Sequence, residues 1–234
     1  MNVPFFKYLK SEWLCTFSDL IFVCVVVLSF VLVWYGNNGG DFTDVRDGKK
    51  YKTVKMPDGK RWMAENLNYQ PSTGNSWCYN NSADSCSKYG RLYDWAAAMN
   101  IESSYNSTEW GGSDVNHQGV CPAGWHLLSD TEWDALVDAV GSLAGRKLKS
   151  TSGWYDNGNG TDDYGFSALP GGYRSSSGNF WDAGGSYGRW WTATERSGSH
   201  AYYRYMYCNG KNVDWFTGVK GLGFSVRCAQ DVRQ

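Results

Sequence analysis

Histidines His117, His126 and His200 are the only imidazoles in the 234-residue chain, so a nucleophile activated by a histidine base has few places to form. His126 follows Trp125 in the stretch CPAGWHLLSDTEWDAL, Cys121 to Leu136, where packing or a backbone hydrogen bond is its simplest role. Cys121 and His126 together supply two zinc ligands, which do not complete a tetrahedral site. Glu132 reads as a helix cap and Glu195 as a surface residue at a strand end, so neither carboxylate is assigned a catalytic role.

Hard-metal chemistry has one candidate. The stretch DNGNGTDDYG brings Asp156, Asn157, Asn159, Asp162 and Asp163 together, and their oxygens could surround calcium. It lacks the spacing of a helix-loop-helix calcium loop and the closing glutamate, and Asp and Asn favour tight turns without any metal. The expectation is therefore no cofactor, with calcium at this loop as the alternative.

Binding chemistry has a broader base. In GGYRSSSGNFWDAGGSYGRWW the aromatics Tyr173, Phe180, Trp181, Tyr187, Trp190 and Trp191 alternate with Gly, Ser and Asn. Flat rings suit sugar rings or protein surfaces, and small polar residues supply adaptable hydrogen bonds. Loop-rich folds also use aromatics as core filler, and Trp190 or Trp191 must point inward if both lie on one strand. Tyr173, Trp181 and Tyr187 are the candidate ligand-binding residues.

These residues need a scaffold. Asp47-Gly48 and Asp58-Gly59 are turn dipeptides among β-prone residues, which predicts a hairpin with strands near 51–56 and 60–65. Leu92, Trp95, Ala96 and Met99 fall at helical spacing and predict a short helix over 91–99. Ser129 and Glu132 form a capping box before the apolar stripe Trp133, Leu136, Val137 and Val140, with Gly141 as the stop. Beyond residue 142, GFSALPGGY, GRWWTATE, AYYRYMYC and GFSVRC read as strands separated by polar turns. Two main helices among short antiparallel strands and long loops make an α+β domain.

Cysteine usage supports an oxidising compartment. Cys78 and Cys86 enclose the polar loop YNNSADS and are the best local pair. Cys121 with Cys228 would tie the middle of the domain to its last strand and leave Cys208 unpaired, and exchanging Cys208 for Cys228 is the alternative.

The apolar run from Trp13 to Tyr35 carries Asp19 as its only charge. At about 1.5 Å per residue it spans roughly 34 Å, enough for a bilayer core. A cleaved secretory signal competes with this reading. The run is longer than a usual signal core, however, and no small-x-small cleavage pattern follows it, so an uncleaved signal anchor is favoured. Lys7 and Lys10 precede the run and no basic residue follows before Arg46, which puts residues 1–12 in the cytoplasm and the rest outside. Residues 36–45 read as a linker and 46–231 as the exported domain. The net charge of −1 gives no reason to expect a nucleic-acid partner.

The stretches DGKKYKTVKMPDGKRWMAENLNY, GRLYDWAAAMN, GVCPAGWHLLSDTEWDALVDAVG, GFSALPGGYR, GRWWTATE and GFSVRCAQD together resemble the Fibrobacter succinogenes major paralogous domain family, in the family's order, over residues 45–231. The resemblance implies a fold similar to C-type lectins and formylglycine-generating enzymes. It also implies an extracytoplasmic location, although family members are often lipoproteins and this chain looks anchored by a helix. The resemblance brings no biochemical activity with it. Formylglycine-generating enzymes hold copper with a pair of nearby late cysteines, whereas AYYRYMYCNGK offers Cys208 with no second cysteine close in sequence. The expectation is a single-pass protein of the bacterial cell envelope, its exported domain a non-catalytic binding module for polysaccharide or another envelope protein. The alternatives are a structural subunit of an envelope membrane complex and a degenerate enzyme of the formylglycine-generating type.

Overall fold

The computed structural model describes residues 39–182 and 184–231, which belong to the second of two units into which the chain divides after residue 37. The span predicted at residues 13–35 lies outside the described residues. No described helix is long and apolar enough to cross a membrane.

The DG turns do what the sequence predicts. Gly59 takes φ 84°, which L side chains rarely adopt, and the chain reverses between β2 (Lys50–Lys55) and β3 (Lys60–Met63). β1 (Gly39–Thr43) pairs antiparallel with β2, so half of the stretch read as a linker is the edge strand of the domain. Its residues GGDFT carry too little hydrophobic alternation to signal a strand, and the pairing comes from β2. β6 (His126–Leu127) and β12 (Cys228–Asp231) complete a five-stranded sheet in the order β1-β2-β3-β12-β6. A second sheet is the antiparallel meander β9 (Tyr187–Ser197), β10 (His200–Tyr207) and β11 (Asp214–Val219). Two small ribbons, β4 (Ser76–Trp77) with β5 (Leu92–Tyr93) and β7 (Tyr173–Arg174) with β8 (Phe180–Trp181), lie outside these sheets.

Four α-helices are present among the described residues rather than two main ones: α1 (Ala83–Tyr89), α2 (Trp95–Met99), α3 (Asp130–Val140) and α4 (Ala144–Leu148). α1 buries only Cys86 and α4 has five residues, so neither shows an apolar period. The helix predicted over 91–99 begins instead at Trp95. Asp94 caps it by accepting from the Ala97 N–H, and Tyr93 is held extended by exchanging both backbone hydrogen bonds with Phe224. In α3 the capping box forms in both directions, and Trp133, Leu136 and Val140 are buried as one stripe. GFSALPGGY and GFSVRC are mostly single bridges, not strands. Ser167 has φ 52° and Pro170 has no donor, while the second segment bonds in turn to Tyr93, to Arg189 and Trp191, and to Leu67 in separate parts of the chain.

Cys78 pairs with Cys86 and Cys121 with Cys228, leaving Cys208 as the free cysteine among the described residues. The core has two aromatic clusters on either side of β9. Trp191 packs with Trp95, Tyr93 and Phe224, and the next residue, Trp190, packs with Trp133, Trp62 and Phe166. Both indoles are fully buried because β9 is covered on both faces. Arg227 also lies in the interior, where burial pushes its pKa down to about 9. Asn66 and the carbonyls of Phe166 and Ser167 take its donors.

Candidate binding face

Strand alternation divides the second sheet into two faces. On one, Arg204 is buried and bonds Asp130 and Asp134, fastening the sheet to α3. On the other, Tyr203, Tyr205 and Tyr207 lie opposite Trp191, Arg189 and Tyr187. The inner end of this face belongs to the core and its outer end is half-buried.

A continuous path of rings crosses the outer end. Tyr187 stacks on Tyr207 at 5.8 Å and 28° and leans on Tyr205 at 6.3 Å. Tyr205 contacts Tyr203 at 6.0 Å, and Tyr203 reaches Phe216 on β11 at 6.4 Å. Arg189 sits between Tyr173 and Tyr187, its guanidinium carbon 4.5 Å from each ring centre, and Asp182 takes its Nη2 at 2.9 Å. Its Nη1 is buried without a hydrogen-bond partner, which the two flanking π-faces compensate in part. Burial raises the Tyr203 hydroxyl pKa against the opposing pull of Arg189, and burial followed by Asp214 raises that of Tyr205, so both remain donors at neutral pH. The buried Lys149 holds the end of β10 by donating to the carbonyls of Tyr207, Cys208 and Gly210.

A family model described as the Fibrobacter succinogenes major domain matches residues 54–230, more than half of the chain. The chain belongs to the Fibrobacter succinogenes major domain family. No curated protein and no solved structure matches it.

In this major domain the three predicted ligand residues are neighbours. Tyr173 pairs with Trp181 across the β7–β8 ribbon, and Tyr173 and Tyr187 bracket Arg189. Trp181 is 52% exposed, whereas Tyr173 and Tyr187 are half-buried. Sequence reasoning missed Arg189, Tyr203, Tyr205, Tyr207 and Phe216. The signal was present in AYYRYMYC, where tyrosines at every second position share one face of a strand. Phe180 turns the other way, against Arg174 and Tyr79.

Of the five predicted calcium ligands, two are occupied by the major domain's own loops. Asp162 accepts from the Ser167 backbone and hydroxyl, and Asn159 accepts from the Trp154 N–H. Asp156 and Asn157 hold positive φ in an exposed turn, and Asp163 is exposed. Among the described residues no three His, Cys, Asp or Glu side chains form a metal-holding group.

Glu195, read as a surface residue, instead ion-pairs with the fully buried Lys220 and accepts from the Trp110 and Gly111 N–H groups. Glu132 does more than cap α3, since His126 and Lys60 also meet its Oε1 at 2.8 and 3.1 Å. Burial alone would raise its pKa, but the bonds from His126, Ser129 and Lys60 bring it down to about 2 from the ordinary 4.5. A depressed carboxylate stabilises the fold above the unfolded pKa and stops doing so as pH falls through the folded one. Glu132→Gln should therefore cost about 2 kcal/mol at pH 7, discounted for partial exposure, in chemical denaturation. The gap between the two proteins should close as pH falls from 4.5 towards 2; a gap that stays constant would refute the linkage.

Proposed function

We propose that this chain is a membrane-anchored, extracytoplasmic, non-catalytic binding module on a C-type-lectin-like scaffold, and that its ligand is polysaccharide held on the tyrosine face of β9 and β10. The observation that carries the reading is the row of half-buried tyrosines in which Arg189 bridges Tyr173 to Tyr187 and the rings of Tyr187, Tyr205 and Tyr203 lead on to the exposed Phe216. Half-buried tyrosines have fixed orientations, so little conformational entropy is lost when a sugar stacks on them. Their hydroxyls and the carboxylates of Asp182 and Asp214 can bond sugar hydroxyls. An oxidase step is not part of the proposal, because a two-cysteine copper site needs a second thiol and Cys208 is the only free one described.

A protein partner in an envelope complex is the second reading. Edge strand β11 favours it, with Trp215 56% and Phe216 60% exposed.

The test is retention of the full chain, purified in detergent, on a panel of soluble polysaccharides and on envelope protein. Trp181→Ala combined with Tyr187→Ala should weaken glycan binding roughly thirtyfold, about 1 kcal/mol for each ring. A chelator should leave retention unchanged, and loss on chelation would restore the loop from Asp156 to Asp163 as a calcium site. Retention on envelope protein alone would favour the second reading.

A further inference from the structure

The rings of the tyrosine face do not lie in one plane. Tyr187 and Tyr207 are within 28° of parallel, but Tyr187 and Tyr205 are inclined by 44°, Tyr203 and Tyr205 by 46°, and Tyr203 and Phe216 by 75°. A crystalline polysaccharide presents a flat array of sugar faces and can touch such rings only at isolated points. A single chain can rotate about its glycosidic bonds and meet tilted rings one after another. From Tyr203 to Tyr207 the strand runs roughly 14 Å at about 3.4 Å per residue, longer than one sugar ring.

The charges restrict the ligand further. Arg189 is the one cation stacked on these rings among the described residues, and it is already committed to Asp182 and covered by Tyr173 and Tyr187. Its one unpartnered nitrogen, Nη1, is buried, so no exposed positive charge remains there for a carboxylate or sulfate. The carboxylates of Asp182 and Asp214 instead give the face an excess of negative charge, which repels an acidic chain and accepts hydrogen bonds from hydroxyls.

We infer that this face, on the glycan-binding reading above, takes a single uncharged glycan chain several sugars long, and not an acidic polysaccharide or a crystalline surface. The full chain in detergent is tested by affinity electrophoresis and pull-down against hydroxyethyl cellulose, carboxymethyl cellulose and microcrystalline cellulose, which share a backbone but differ in charge and order. Galactomannan and polygalacturonate form a second pair of neutral and acidic probes. Within a pair, the uncharged soluble probe should bind at least tenfold more tightly than the acidic one, and microcrystalline cellulose should retain little. Asp182→Asn, which frees Arg189, should narrow the charge preference several-fold, and Asp214→Asn should do so through a residue that does not hold the arginine. Equal or tighter binding of an acidic probe, or strong retention on microcrystalline cellulose, overturns the inference while leaving the glycan reading standing. No retention on any probe overturns both.

Discussion

Replacing Glu195 by alanine should destabilise the domain by about 3–5 kcal/mol, the usual cost of leaving one member of a buried ion pair alone. Lys220 is fully buried, and its ammonium donates to the carbonyls of Tyr105, Thr108 and Gly198 as well as to Glu195. It also lies 4.5 Å from the Trp95 ring centre. Carbonyl dipoles solvate an ammonium, but they do not cancel its charge. Burial tends to raise the pKa of Glu195, and the hydrogen bonds from Lys220, Trp110 and Gly111 bring it below the ordinary value. Its stabilisation is thus present above the unfolded pKa and fades on acidification. The check is urea denaturation of Glu195→Ala, Lys220→Met and the double variant. The double variant should lose less than the sum of the singles, because removing both charges leaves neither one buried alone. Additive losses would mean that the pair contributes no coupling.

Loss of the Cys121–Cys228 bridge should be of similar size. The bond closes a separation of 107 residues and ties the turn before β6 to β12, the strand beside it in the five-stranded sheet. Closing a loop of that length removes unfolded-state entropy worth about 4.8 kcal/mol, or roughly 10–19 °C in Tm for a domain of this size. The Cys78–Cys86 bridge spans a separation of 8 and should contribute less, about 2.5 kcal/mol. Cys208→Ser removes no bond and should change stability by less than about 0.5 kcal/mol. Thermal unfolding of the three serine variants at Cys121, Cys78 and Cys208 should rank in that order. A Cys208 variant as damaged as the Cys121 variant would show that the exchanged connectivity forms in solution.

The features legible in the sequence act over short distances. The Ser129–Glu132 capping box, the Asp58-Gly59 turn and the Cys78–Cys86 loop each depend on residues within a few positions of one another. So does the apolar stripe of α3, because a helical period is written in consecutive residues. β1 was not legible, since GGDFT becomes a strand only through the partner that β2 offers it. Glu195 resembled a surface residue because its cation lies 25 positions away on the far side of β10 and β11.

For the candidate site the division is similar. The sequence determined which rings were available, and its alternation in AYYRYMYC meant that alternate tyrosines would share a face. It also determined an α+β domain of the major domain family over most of the chain. Only the tertiary structure decided that Cys121 joins Cys228 and not Cys208, and that Trp190 and Trp191 are both interior. Only the tertiary structure set Tyr173, Arg189 and Tyr187 in one stack. Local periodicity records which way a side chain leaves its own strand; what it meets there depends on segments brought in from elsewhere in the chain, whose pairing no local pattern encodes.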